Sequence, residues 1–308
     1  MTFVWVTSLG LLRWPLLLLC AALSGWARRR RGRAILVLGV AAVVLMDMAV
    51  EASGRVATAD DAGGGETLTV LTHNVLFDGG DAGETVAMIV AEDPDVVFLQ
   101  EVSARRARDL AAGLEARWPH RLEALSRGRG HGLVTFSKQP IAGIESWASG
   151  RGNVVGQCLR TGPLAACNVH LTSPSVAFDN PRRFVPVLLD NERYRRRQWE
   201  AIEETARGHG VTVMIGDVNT MVVEPHFRSI RRGWVDAWRA LRPFASGATY
   251  PHGSHGPPNK FVRPGIPFVR PDYVLLDPSV RPIEARTPAS GGSDHRPVVV
   301  TLELPPER

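Results

Sequence analysis

Eight polar residues stand at the ends of apolar runs in this 308-residue chain. Asn74 closes LTVLTHN, Glu101 closes VVFLQE, His170 closes AACNVH, Asp217 and Asn219 close VMIGDVN, Asp272 opens DYVLL, and Asp294 with His295 precedes PVVVTLEL. A carboxylate or amide at such a position is costly to bury unless a ligand or partner satisfies it. Strand ends gather at one rim of a sheet, so six segments would bring these groups together. The set is rich in oxygen, which suits a hard cation such as Mg²⁺ better than Zn²⁺, whose sites favour histidine or cysteine. Histidines beside it suit proton exchange near neutral pH. Such a constellation fits attack of water on a phosphate ester or pyrophosphate. That reaction needs neutralised oxyanion charge, an aligned nucleophile and a proton for the leaving oxygen.

The elements that must position these residues are legible as alternating patterns. After LTVLTHNVL come a helical stretch near Glu84–Glu92, stopped by Pro94, and the run VVFLQ. GLVTFS, VVGQCLR, LAACNVHL, VTVMIG, DYVLL and PVVVTLEL are further strands. Ala104–Ala116 and Asp190–Arg207 are helices, the second capped by Asp190 or Asn191 and stopped by Gly208. Strands outnumber helices and several are close enough for hairpins, which predicts a mixed α/β fold with antiparallel sheets over a doubly wound parallel one.

Six motifs in order, T-H-N-V, L-Q-E-V, N-V-H-L, G-D-V-N, R-P-D-Y-V-L-L and G-S-D-H-R-P, resemble the endonuclease/exonuclease/phosphatase superfamily of DNase I-like, sphingomyelinase-like and inositol-phosphatase-like enzymes. The resemblance covers residues 67–305 and implies a four-layer α/β sandwich with two mixed, largely antiparallel central sheets and a site at their common edge. It implies that Glu101, with Asn74 and Asp294, holds Mg²⁺ or Mn²⁺, and that Asp217 orients or deprotonates the attacking water. Asn219 would bond the phosphoryl oxygens. His295, oriented by Asp272, would stabilise charge or exchange a proton, and His170 would face the phosphate as a second acid/base group. The chain departs from the family pattern at Val218, at Pro271 and at Ser137-Lys138-Gln139-Pro140, none of which touches an assigned role.

Composition places this domain. A hydrophobic content of 44% excludes a disordered tail, a disulfide-stapled miniprotein and a fibrous repeat. The net charge of +5 invites a nucleic-acid reading, yet residues 1–50 hold all of it: six arginines face Asp47, and residues 51–308 balance. Residues 3–26 are apolar apart from Arg13, and Ala34 to Val50 carries only Asp47, with ARRRRGR between them. This reads as a transmembrane helical hairpin over residues 1–50 around a cytoplasmic arginine turn, then a linker at 51–66 and a catalytic domain at 67–305. Cleavage near Val50-Glu51-Ala52 is the alternative. Either way the catalytic domain is expected outside the cytoplasm, at a bacterial cell membrane. Cys158 and Cys167 flank a tight hairpin and read equally as a disulfide or as two small buried apolar side chains.

The substrate is read from the surroundings. A neutral domain lacks the overall basic charge that a DNA nuclease brings to its phosphate backbone. The segments Ser173–Leu189 and Tyr250–Phe268 mix proline, arginine and apolar residues beside His170 and Asp272, which suits a lipid headgroup at the membrane surface. Together with the anchor they resemble membrane-anchored bacterial members of the superfamily, including VanJ-like teicoplanin-resistance proteins. That resemblance implies a lipid-linked substrate such as undecaprenyl pyrophosphate. A surface DNA or RNA endonuclease is the second reading. A tethered binding module with a dead site is the third, and the presence of all eight residues argues against it.

Overall fold

A computed structural model describes residues 65–126, 131–149, 152–174, 184–220, 227, 230, 232–243, 245–252, 267, 269–288 and 291–306, all within one unit formed by 57–222 and 226–308. The predicted hairpin at 1–50 and the linker through residue 64 lie outside the described residues. Among those described, no helix is long and apolar enough to cross a membrane.

Period-two apolar patterning builds two sheets. In chain order the elements are β1 (Thr67–Asn74), α1 (Ala82–Glu92), β2 (Val96–Val102), α2 (Ala104–Leu114), β3 (His120–Ala124), β4 (Gly132–Ser137), β5 (Ile141–Ala148), β6 (Val154–Thr161) and β7 (Leu164–His170). There follow α3 (Phe184–Gly208), β8 (Val213–Asp217), β9 (Val235–Asp236), α4 (Ala237–Leu241), β10 (Asp272–Leu276), β11 (Arg281–Arg286) and β12 (Val298–Glu303). One sheet has the order β11-β12-β1-β2-β4-β3 and the other β5-β6-β7-β8-β10-β9. Each has one parallel pair at its centre, β1 with β2 and β7 with β8, flanked by antiparallel neighbours. A parallel pair needs a crossover, and α1 and α3 supply them. The expectation of two mixed, largely antiparallel sheets therefore holds.

Local chemistry sets the helix ends. Asp81 caps α1 by accepting from Glu84 N at 2.9 Å, and Ser103 caps α2 by accepting from Arg106 N at 3.0 Å. Helix α3 begins at Phe184, earlier than the predicted Asp190, because Pro186 falls in its first turn, where a missing N–H costs nothing.

Three apolar clusters define four layers. Met88 and Ile89 of α1 and Leu110 and Leu114 of α2 pack on Leu71, Val97, Leu99 and Phe136, the outer face of the first sheet. Trp199, Ile202 and Ala206 of α3 pack on Ala165, Val169 and Met214, the outer face of the second. Leu68, Val70, Phe98, Ala166, Val213, Ile215 and Val274 fill the space between the sheets. Cys158 and Cys167 are register partners on β6 and β7 and form a disulfide beneath α3.

Candidate active site

The inward positions of β1, β2, β7, β8 and β10 change character along each strand, and the polar ends fall together. Asn74 and Glu101 come from the carboxyl ends of the first parallel pair, and His170 and Asp217 from those of the second. Antiparallel β10 begins opposite Asp217, so Asp272 joins from the other direction. Asp294 and His295 arrive on the turn before β12.

Glu101 owes its place to a bulge. The β2–β4 register shifts between Leu99 and Val102, and Glu101 takes φ +56°, so Gln100 and Glu101 both serve the inter-sheet space. Asn219 also sits in the left-handed region, at φ +51°, which asparagine tolerates. Its N–H closes on Asp217 Oδ1 at 2.9 Å, and its Nδ2 donates to Leu171 O at 2.9 Å.

Asn74 knots the carboxylates together. Its Nδ2 donates to Glu101 Oε1 at 3.0 Å and to Asp217 Oδ2 at 2.9 Å, while its Oδ1 accepts from Leu76 N at 3.1 Å. It thus meets the carboxylates through its amide nitrogen. On the other side, Asp272 Oδ2 bonds His295 Nδ1 at 2.9 Å and accepts from Thr249 Oγ1 at 2.5 Å. His295 Nε2 is left 3.9 Å from Asp217 Oδ2, and His170 Nε2 is 3.8 Å from the same oxygen. Ser293 Oγ ties the turn to β1 by donating to Asn74 O at 2.6 Å, and it accepts from His295 N at 3.2 Å. The start of β10 is held by Arg270, buried and bonded through both nitrogens of its fork to Asp236 at 2.9 and 2.6 Å.

The electrostatics follow from this crowding. Burial and the Asp272 carboxylate push Asp217 up to about 7. Burial opposes a charge on His295, but Asp272, by proximity and by hydrogen bond, outweighs it and lifts the imidazole to about 10. Burial lowers His170 to about 4 against the pull of Glu101, which leaves it neutral at pH 7. Burial and Glu101 raise Asp294. At Glu101 burial pulls upward, but His170, His131 and the Asn74 amide together bring the carboxyl below its ordinary value.

All eight predicted residues are therefore at one site. Among the described residues, no lysine or arginine pairs with Glu101, Asp217, Asp272 or Asp294; the first three pair with histidines, and Asp294 feels His295 beside it. Four carboxylates gathered in a buried tier with so little cationic compensation fit a divalent cation, and their oxygens are the donors such an ion takes. His131 is a member that the sequence reading missed. It stands at the amino end of β4, where no apolar run ends, and its Nδ1 lies 3.5 Å from Glu101 Oε2. The one signal for it is pairing: Gly132 is the register partner of Val102, the residue after Glu101. Tyr250 was also missed; its ring packs on His295 with centroids 4.8 Å apart.

Known proteins share this fold. The sequence matches the Endonuclease/Exonuclease/phosphatase family over residues 71–295. Among solved structures it is similar to an endonuclease/exonuclease/phosphatase from Beutenbergia cavernae DSM 12333, at 22% identity and a TM-score of 0.53 over 77% of this chain and 72% of that one. It is also similar to an AP endonuclease from Archaeoglobus fulgidus, at 16% identity and a TM-score of 0.57 over 76% of this chain and 98% of that one. A 3'-5' exonuclease from Neisseria meningitidis gives 16% identity and a TM-score of 0.60 over 77% of this chain and 100% of that one. Likeness at such identities is likeness of fold. Comparison with curated proteins finds no match. Since the family match spans most of the chain and encloses all eight site residues, the chain belongs to the Endonuclease/Exonuclease/phosphatase family.

Proposed function

We propose that the chain is a membrane-anchored, extracytoplasmic phosphohydrolase that cleaves a phosphate ester or pyrophosphate of a lipid-linked substrate by direct attack of water. The observation that carries the chemistry is the pairing, at one buried site, of a carboxyl lifted toward neutrality with an imidazole locked to a second carboxylate. Asp217, held by Asn74 and by the Asn219 amide, orients and deprotonates the water at a pKa of about 7, matched to neutral conditions. His295, kept protonated by Asp272, donates toward the developing oxyanion or the leaving oxygen. Asn219 Nδ2 spends one hydrogen on Leu171 O and has a second for a phosphoryl oxygen. A divalent cation, Mg²⁺ or Mn²⁺, held by Glu101 and Asp294, and by Asn74 if its amide turned Oδ1 from Leu76 N toward the ion, would neutralise charge as it builds on the phosphoryl oxygens. Ser293 is committed to the Asn74 carbonyl, consistent with a reaction without a serine ester.

The lipid-side assignment rests on the two apolar N-terminal stretches around ARRRRGR and the charge balance of residues 51–308. The Cys158–Cys167 disulfide supports an oxidising compartment. A second reading, a surface nuclease, draws on the similarity to solved structures titled AP endonuclease and 3'-5' exonuclease. The test is the full-length chain in detergent with Mg²⁺, assayed side by side on polyprenyl pyrophosphate, sphingomyelin and plasmid DNA. Lipid turnover with intact plasmid is the expected result. Rapid plasmid degradation without lipid turnover reassigns the chain as a nuclease. Reporter fusions at residue 60 that are active only in the cytoplasm would overturn the topology.

A further inference from the structure

Glu101 faces two ways. One oxygen takes the Asn74 amide, and on the far side each of its oxygens meets a histidine nitrogen, Oε1 with His170 Nε2 at 3.6 Å and Oε2 with His131 Nδ1 at 3.5 Å. These separations are too long for hydrogen bonds. They match instead the spacing of neighbouring ligands on one metal ion, about 3.0–3.5 Å for bonds of about 2.1 Å in tetrahedral or octahedral geometry. One donor atom from each of Glu101, His131 and His170 lies within 4.8 Å of the other two. Neither ring nitrogen of His170, whose side chain is 7% exposed, has a hydrogen-bond partner, and the buried Nδ1 of His131 has none either. Buried imidazole nitrogens are ordinarily satisfied, so nitrogens aimed at a carboxylate from beyond bonding distance point to a ligand between them.

The arrangement is built. The backbone of His131 is pinned on both sides, its N–H to Asn153 Oδ1 at 3.0 Å and its carbonyl to Val154 N at 2.8 Å. Its ring is stacked between Phe77, centroids 5.0 Å apart at 19°, and His170, centroids 5.9 Å apart at 11°. Stacking fixes the plane of the imidazole and so the direction of Nδ1.

We propose that Glu101, His131 and His170 form a mixed nitrogen and oxygen cation site, separate from the oxygen-only position at Asn74, Glu101 and Asp294 and sharing Glu101 with it. Two imidazoles and one carboxylate select borderline transition ions, Zn²⁺ or Co²⁺, over Mg²⁺, which prefers oxygen and holds its water. The inference rests on the proposed function and deepens it, since the second cation would share Glu101 with the first and lie beside His170.

The test uses binding, with no substrate. The full-length chain, saturated with Mg²⁺, is titrated with Zn²⁺ by calorimetry and with Co²⁺ by visible absorption. One tight Zn²⁺ equivalent and a Co²⁺ ligand-field band are expected in the wild type. His131→Ala, a change at the site rim, should weaken Zn²⁺ by about 100-fold or more and alter the band, and added imidazole should restore part of both. His170→Asn should do the same. Equal Zn²⁺ affinity in the wild type and both variants overturns the site, as does the absence of Zn²⁺ binding in excess Mg²⁺. A chain that hydrolyses phosphate with Mg²⁺ yet takes up no Zn²⁺ loses this inference alone. One that binds Zn²⁺ through His131 but hydrolyses none of the three substrates keeps it and loses the functional reading.

Discussion

The two ends of the inter-sheet space are made by the same strands and do opposite work. At one end β1 offers Leu68 and Val70, β2 Val96 and Phe98, β7 Leu164 and Ala166, and β8 Val213 and Ile215, all in one buried apolar cluster. At the other the same strands offer Asn74, Glu101, His170 and Asp217. Between them lies a tier of buried amides and hydroxyls: Gln100 Nε2 donates to Thr72 Oγ1 at 3.0 Å and, across the sheets, to Asn168 Oδ1 at 2.8 Å, while Thr135 Oγ1 donates to Gln157 Oε1 at 2.9 Å. The first end stabilises the fold by excluding water. The last stores mutual repulsion among carboxylates, which a cation and substrate would relieve. The strands are a means of making the first end hold the last together, with the middle tier fixing its geometry.

Breaking either end should separate function from stability. Glu101→Gln and Asp217→Asn are expected to lower hydrolysis of a phosphodiester or pyrophosphate by about 1,000-fold or more, each by removing a charge that the reaction uses. Because burial and, after it, repulsion from Asp272 and Glu101 raise Asp217, the Asp217→Asn chain should melt no lower than the wild type, and higher in chelator. Initial rates with a thermal melt check both; a marked fall in melting temperature would make Asp217 a structural residue. Phe98→Ala at the apolar end is expected to do the reverse. It should cost about 4 kcal/mol of stability in urea denaturation and leave the turnover of the folded fraction near wild type.

The apolar-to-polar grading is also why so much was legible in sequence. The eight strands read from sequence, β1, β2, β4, β6, β7, β8, β10 and β12, are the eight interior ones. The four missed, β3, β5, β9 and β11, are the four sheet edges. An interior strand is covered by neighbours on both sides and layers on both faces, and so reads as an apolar run. The edge strand HRLEA alternates exposed and half-buried positions, RPIEAR is exposed or half-buried apart from Ala285, and neither carries a run to read. The site was legible where a polar residue closes an interior run, as at Asn74, Glu101, His170 and Asp217, or opens one, as at Asp272; His131 stands before GLVTFS and came beside Glu101 only through the antiparallel pairing of β4 with β2.

The polar end extends to the outer face of β1. His73, fully buried near Thr85, Met88 and Gly291, is lowered by burial to about 4 against the pull of Asp272. The sign is fixed by the unfolded chain, which takes up its proton near 6.5 while the folded chain refuses it until about 4. The stability of the neutral form is complete above pH 6.5 and drains as pH falls to 4, by roughly 3 kcal/mol. His170 behaves alike, so His73→Leu should remove part of the acid sensitivity and leave the rest. Urea denaturation in chelator between pH 7 and pH 4 measures it; an unchanged slope in the variant would show that His73 is not the proton acceptor.

The middle tier gives the smallest effect and the sharpest contrast. Asn168→Leu leaves the Gln100 carboxamide, 0% exposed, without its cross-sheet acceptor, and should cost about 2 kcal/mol. Gln100→Leu strips Asn168 in the same way. Were the tier merely a patch of core, the two losses would add. A satisfied polar pair behaves otherwise, since removing both partners leaves neither orphaned, so the double variant should be less destabilised than the sum of the singles. Its fold would be retained, but the amide bridge that holds Glu101's strand against His170's would be gone. The double variant should therefore lose turnover out of proportion to its stability. A double variant as active as it is stable would mean that the apolar end alone positions the site.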